Sequence, residues 1–202
     1  METQQEISWN HALEKIIAQE GERASGLAWL HSECEQHYSK LNVWIALPVI
    51  CLSTINGFIS GASSSMFSDP RSASLGVGSV SLFTAILSTV GSFFAWAKRT
   101  EAHRISAASY LKLSKFISVE MALPKLERIA AKDILKVVRD QSERLLEISP
   151  AVPEFLKEHY RQRFGRLTDV AHPEITNGIH KVDINRHTTA TSPEPTPVVT
   201  LP

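Results

Sequence analysis

The sequence predicts an all-α protein: a two-transmembrane-helix hairpin with flanking amphipathic helices that form a small bundle, plus an extended C-terminal tail. Three observations carry this. Acidic and basic residues balance at 21 each, yet between Leu41 and Ala97 the only charges are Asp69 and Arg71. Two uncharged windows in that stretch, 41–60 and 75–97, each have the roughly 20 residues that cross a ~30 Å hydrocarbon core. The regions outside it show apolar residues at helical spacing among many charges.

The domain reading follows chain order: an amphipathic helical region at 1–40, the hairpin at 41–97, a second helical region at 98–170 and an extended Pro/Thr-rich tail at 171–202. The opening "METQQEISWNHALEKII" is polar and amphipathic, without the apolar core of a secretory signal. In "HALEKIIAQEGERASGLAWLHSECEQHYSKL", Leu27, Leu30, Cys34, Tyr38 and Leu41 share one face, and Gly21 and Gly26 are expected to divide the helix. "HSECEQH" invites a metal reading through His31 and Glu35, one turn apart. His37 points away from His31, however, and a solvated helix face is preferred. Cys34 and Cys51 fit no zinc or CxxC spacing and are expected to be buried and inert.

The first window, "LNVWIALPVICLSTINGFIS", mixes apolar residues with Ser, Thr, Asn and Gly. Lipid offers no hydrophobic drive between helices, so small residues and side-chain hydrogen bonds hold such pairs together. Ser53, Gly57 and Gly61 recur every four residues, as do Thr84, Ser88 and Ser92 in the second window. These two series are expected to form the transmembrane packing seam, with Asn56 beside it bonding across. A pore-lining stripe is the other reading, weakened by the lack of ionisable residues within the windows. Pro48 falls in the first turns of its window, where a kink is tolerable. "GASSSMFSDPRSAS" is expected to be the connecting turn.

Lys40 before the first window, and Lys98 and Arg99 after the second, with Trp44 and Trp96 nearby, are expected to anchor the hairpin at one membrane interface. Basic flanks at both outer ends put both termini on the same, cytoplasm-facing side. From Lys98 the second helix is expected to continue unbroken, burying Ile105, Ala108, Leu111 and Ile117 and ending at Pro124. A helix over 130–148 carries Ile134, Val137, Val138, Gln141, Leu145 and Ile148 as a stripe. Pro153 opens another, with Phe155, Leu156, Tyr160 and Phe164 apolar and "RQRFGR" a solvated basic end. "VAHPEITNGIHKVDI" reads as extended with an Asn-Gly turn. The tail "RHTTATSPEPTPVVTLP" has almost nothing to bury.

There is no Walker loop, GxGxxG, HExxH or GxSxG, and the acid–base runs around His103 and His159 read as ordinary helix charges, so no enzyme, cofactor or metal is expected. Zero net charge gives no reason to expect nucleic acid.

The order "WLHSECEQHYSKLNVWIALPVICLSTINGF", a second hydrophobic helix, "TEAHRISAASYLKLSKFISVEMALP", "RLLEISPAVPEF" and "HPEITNG" resembles a family of two-transmembrane proteins of large double-stranded DNA viruses, algal viruses above all. The resemblance covers roughly 27–178, and that family is in turn similar to bacterial SLATT-domain proteins, proposed pore-forming effectors. It implies a structural, minor-capsid role: a component of the virion's inner membrane, tying bilayer to shell, with capsid or other virion proteins as partners through the tail and a homo-oligomer possible. The SLATT likeness implies an oligomeric pore instead. No catalytic role carries over from either.

Overall fold

The computed structural model describes residues 8–66 and 69–178. Six helices follow in order: α1 (His11–Met66), α2 (Pro70–Phe94), α3 (Trp96–Ala122), α4 (Ala131–Ile148), α5 (Glu154–Phe164) and the single turn α6 (Glu174–Asn177). No strand occurs among the described residues. The all-α fold predicted from the uncharged windows and the amphipathic flanks is the fold observed.

Helix α1 is one uninterrupted rod of 56 residues, about 84 Å at 1.5 Å per residue. Gly21 and Gly26 do not divide it, and Pro48 lies well inside it rather than in its first turns. The glycines serve close approach instead. A Cβ on Gly21 would sit 2.8 Å from Ile117 Cγ2, and one on Gly26 would sit 2.6 Å from Pro173 Cγ and 2.8 Å from the Tyr160 hydroxyl. Each lets another element lie directly on the α1 backbone, which outweighs glycine's poor helix propensity.

The turn is shorter than "GASSSMFSDPRSAS" suggested, because α1 continues to Met66 and α2 begins at Pro70. Asp69 caps α2: its carboxylate accepts from the backbone N–H of Arg71 (3.2 Å) and Ser72 (3.3 Å) and from the Ser72 hydroxyl (2.6 Å). Asp followed by Pro at N1 is a helix-start signal that a Ser-rich reading of the stretch passes over. The same bonds hold the Asp69 carboxyl below its ordinary pKa.

Along α1 the inward positions alternate steps of four and three: Ile17, Gly21, Ala24, Ala28, His31, Glu35, Tyr38, Asn42, Ile45, Val49, Leu52, Asn56, Ile59, none of them exposed. Helix α2 answers antiparallel with Ala73, Val77, Val80, Thr84, Leu87 and Gly91, and α3 with His103, Ser106, Tyr110, Leu113 and Ile117. This is heptad spacing, the geometry of a left-handed coiled coil.

The second rod is not continuous. Ala95 adopts the left-handed conformation (φ 49°, ψ 41°) between α2 and α3. Extending the α2 series past Gly91 without that residue would put Phe94, Lys98, Glu101 and Ile105 inward; all four are exposed. The break therefore rotates the buried face. Ile105, Ala108 and Leu111, expected inside, face outward, and His103, Ser106, Tyr110 and Leu113 take their place. Ile117, also expected inside, is buried and belongs to the rotated face.

Helix α4 buries Ala131, Ile134, Val138 and Leu145 but exposes Val137, Gln141 and Ile148, a narrower stripe than predicted. Helix α5 buries Leu156 and Tyr160 while Phe155 stays exposed. Residues 171–178 form a short segment with the α6 turn rather than an extended strand; the tail from 179 on lies outside the described residues. That segment docks on α1, where Ala171 N–H donates to Glu22 Oε2 (2.7 Å).

The open end of the bundle is closed by Arg128. Its guanidinium donates to the carbonyls of Leu123 (2.8 Å) and Met121 (3.0 Å), which end α3, and to Glu14 at the start of α1 (2.7 Å). It lies over the Trp9 ring (5.3 Å), whose indole N–H donates to the Ile129 carbonyl. Arg128 and Lys125 hold the Glu14 carboxyl below its ordinary pKa.

Three outcomes follow from these contacts. Arg128→Ala lowers unfolding stability by roughly 2 kcal/mol through the two orphaned carbonyls, read by thermal melts in detergent. Ala95→Gly relieves a left-handed alanine and raises stability by about 1 kcal/mol in the same assay. Gly26→Val drives Pro173 and Tyr160 off α1, so limited proteolysis cuts between Gly165 and Pro173 in the variant and not in the parent.

Candidate functional site

Two features of the long seam stand out: its apolar half and a histidine pair just beyond it. The chain carries two helices long and apolar enough to cross a membrane, and their apolar windows are almost wholly unburied. Trp44 is 76% exposed, Phe58 70% and Phe93 81%. A buried soluble hairpin would hide such a band, so a medium other than water is the environment its surface fits.

The seam in this half is not the predicted one. Leu52, Asn56 and Ile59 of α1 meet Ala73, Val77 and Val80 of α2 around a shared cleft, and Thr84, Leu87 and Gly91 continue the line. Of the expected packing residues, Asn56 and Thr84 lie in it; Ser53, Gly57, Gly61, Ser88 and Ser92 are exposed on other faces. A Cβ on Gly57 or Gly61 would meet nothing within 4 Å. The close-approach glycine is Gly91, whose Cβ would sit 3.2 Å from Ile45 Cγ2. The reason is register. Steps of four drift around a helix, whereas a long antiparallel contact needs steps averaging 3.5.

Asn56 bonds across as expected: its Nδ2 donates to Ser81 Oγ at 2.7 Å. Thr54, Ser79, Thr84 and Thr89 return their hydroxyls to carbonyls four residues back, at 2.8 Å each. Their polarity is thus satisfied within their own helices.

At the outer end of the apolar half, Arg99 lies over the Tyr38 ring at 5.7 Å, which sets α1 and α3 level there. Lys40 on α1 therefore stands within a turn of Trp96, Lys98 and Arg99 on the other rod, and Trp44 lies about one turn further into the apolar half. Trp96 stacks on Phe94 at 4.9 Å. Cys51 is exposed beside a shallow apolar hollow lined by Val43, Trp44, Leu47 and Pro48, contrary to the expectation that it is buried.

One step deeper in the bundle, the seam turns polar. His31 and His103, expected on solvated faces, are 2% and 1% exposed and face each other with Nδ1···Nδ1 at 2.8 Å. At that distance one ring donates and the other accepts. The His31 ring stacks on Tyr110 (5.6 Å, 10°) and the His103 ring on Tyr38 (5.4 Å, 18°), so each ring lies on a tyrosine of its partner's helix. Burial, with His103 nearby, pushes His31 down to about 4; burial, with Arg99 nearby, lowers His103. Cys34, one turn along α1, is fully buried, and burial pushes its thiol up to about 12. Glu35 and His37 do not join this pair: His37 stacks edge-on against Phe155 (4.9 Å). Among the described residues, no three His, Cys, Asp or Glu side chains converge as metal ligands.

The other titratable runs are structural. Glu101 and Arg104 form a two-pronged pair (2.6 and 2.8 Å) on an exposed face. His159, Tyr160 and Phe164 surround Trp29, over which Arg163 lies at 5.7 Å. Arg161 is held by Glu154 (2.8 Å) and Glu158 (2.9 Å), so the basic end of α5 is partly neutralised by its own helix.

Comparison with protein-family models, with curated proteins and with solved structures finds no match.

The revised seam has a direct test. Gly91→Leu forces α1 and α2 apart and lowers hairpin stability, whereas Gly57→Leu leaves it unchanged, compared by unfolding of the full chain in detergent. Asn56→Leu costs about 1 kcal/mol in the same measurement.

Proposed function

We propose that this chain is a membrane-anchored structural protein whose hairpin spans a bilayer and whose bundle stands rigidly on one side of it. The observation that carries the reading is the continuity of α1, which runs unbroken from the Arg128 clamp to the turn before α2. Force on the bundle passes to the hairpin along that rod with no flexible linker between. The exposed apolar belt, edged by Lys40, Trp44, Trp96, Lys98 and Arg99, supports membrane insertion, with both termini on the basic side.

The sequence motifs point to the setting: an inner-membrane component of a large DNA virus particle, holding bilayer to shell. Its partners are lipid and capsid or other virion proteins, with residues beyond Gly178 supplying the grip and no part for nucleic acid. Extraction at alkaline pH tests insertion: the chain stays with the membrane pellet, and its release would refute a spanning hairpin. Quantitative mass spectrometry of purified particles tests the setting, with stoichiometric copies expected and absence refuting it.

A second reading, an oligomeric pore, is favoured by one observation. The small-residue face of Ser53, Gly57 and Gly61 turns away from α2 and is left open to a further helix. Its test is ion flux from liposomes holding the full chain: Gly57→Leu abolishes flux under this reading, and an absence of flux in the parent discards it.

A further inference from the structure

The His31–His103 contact bridges α1 and α3 inside the bundle. It is buried, it joins the two long rods, and it lies eight residues beyond the one backbone break in the second rod, at Ala95. Helix α1 has no such break, so a hinge between the two rods falls at Ala95, with the far end of α3 held to α1 by the Arg128–Glu14 clamp.

We propose that the His31–His103 pair is an acid-released latch, which holds α3 against α1 at neutral pH and on protonation lets α3 swing out about Ala95 while the α1–α2 hairpin stays closed.

The chemistry is that of two nitrogens at 2.8 Å. The contact needs a donor and an acceptor. When both rings carry two protons, two N–H groups and two positive charges face each other in a buried site, and the contact breaks. The groups around the pair do not rescue the charge. Arg99, from α3, adds further positive potential at His103. Glu35, one turn from His31 on the inward line of α1, acts on Arg104 of α3, and no carboxylate is among the causes that act on either histidine. Tyr38, Cys34 and Tyr110 supply no negative charge to the site, and α4 reaches this region through the uncharged Ser149, 3.5 Å from the Tyr110 hydroxyl. The two causes that act on His31 are burial and His103, so no carboxylate offsets them.

The sign follows from linkage. Both histidines have pKa values below the ordinary 6.5 while the latch is closed and regain it when open. The open form therefore binds more protons. Closure is fully favoured above pH 6.5 and is lost progressively as pH falls from there toward 4, the value for His31. One histidine alone shifts the opening equilibrium about 20-fold between neutral pH and pH 5.

Cys34 is a built-in reporter, because its buried thiol lies one turn from His31. The full chain carrying Cys51→Ser, reconstituted in liposomes, is treated with 4,4′-dithiodipyridine, which reacts with thiols at acidic pH. Rates are normalised to a free thiol at each pH. Cys34 is expected to be protected at pH 7.5 and to react at least about tenfold faster at pH 5. His31→Phe with His103→Phe keeps the ring stack and removes the protons, so Cys34 stays protected at both pH values. Unchanged protection of the parent at pH 5, or equal exposure in the double variant with protection intact at pH 7.5, overturns the latch. Should the double variant already be exposed at pH 7.5, ring NMR titration of the two histidines in the unsubstituted chain decides. Titration below 6.5, in step with Cys34 exposure, supports the latch, and titration of either ring at 6.5 or above overturns it.

Discussion

The structure depends on one contact line, the alternating four-and-three seam that α1 carries from Ile17 to Ile59. A straight helix cannot change the face it offers along its length, so α2 and α3, packed on the same side of α1, must follow one phase. Helix α5 and the 171–178 segment dock on a second face through Gly26, Trp29 and His37. The composition of the line changes with the medium while its phase does not. At the far end of the bundle it is Ile17, Gly21 and Ala24; beside the basic collar it is His31, Glu35 and Tyr38; in the apolar half it is Val49, Leu52 and Asn56.

The second rod meets this demand with a correction at Ala95. Its apolar half and its bundle half present faces that are out of step, and one left-handed residue brings them back onto a common partner. A left-handed alanine costs about 1–2 kcal/mol, a small sum against a long buried contact. The correction falls beside Trp96 and the basic pair Lys98 and Arg99, where the proposed membrane surface lies. The helix there leaves one solvent for another, and a loss of helical hydrogen bonding is easier to satisfy than within lipid.

Rigidity and release come from the same arrangement. The α1–α2 seam is built of apolar side chains and the Asn56–Ser81 bond, none of which titrates; the Asp69 cap lies outside it, in the turn. The bundle half of the seam substitutes His31 and His103 at positions that elsewhere hold aliphatic groups, and burial keeps both neutral. A core that wanted only stability would be better served by leucine there, since a buried polar pair adds little net stability and fails badly when one partner changes charge. This makes the pair the most condition-sensitive part of the α1–α3 contact.

By itself the sequence determined what depends on composition and local pattern. The two uncharged windows marked the two helices long and apolar enough to cross a membrane. Local periodicity and Pro153 located α4 and α5 to within a residue. The packing faces were only partly legible. Reading small residues every four positions chose Ser53, Gly57 and Gly61, when continuing the register of Ala24, Ala28 and His31 leads to Leu52, Asn56 and Ile59. That register is set in the bundle half of α1, outside the apolar window itself. What only tertiary structure decided is the phase of α3. A single left-handed backbone at Ala95, an ordinary alanine in the sequence, turns Ile105 and Leu111 outward and brings His103 to His31 across 72 residues of chain. No local pattern encodes that, because backbone strain at one residue is stable only when contacts far along the chain hold it there.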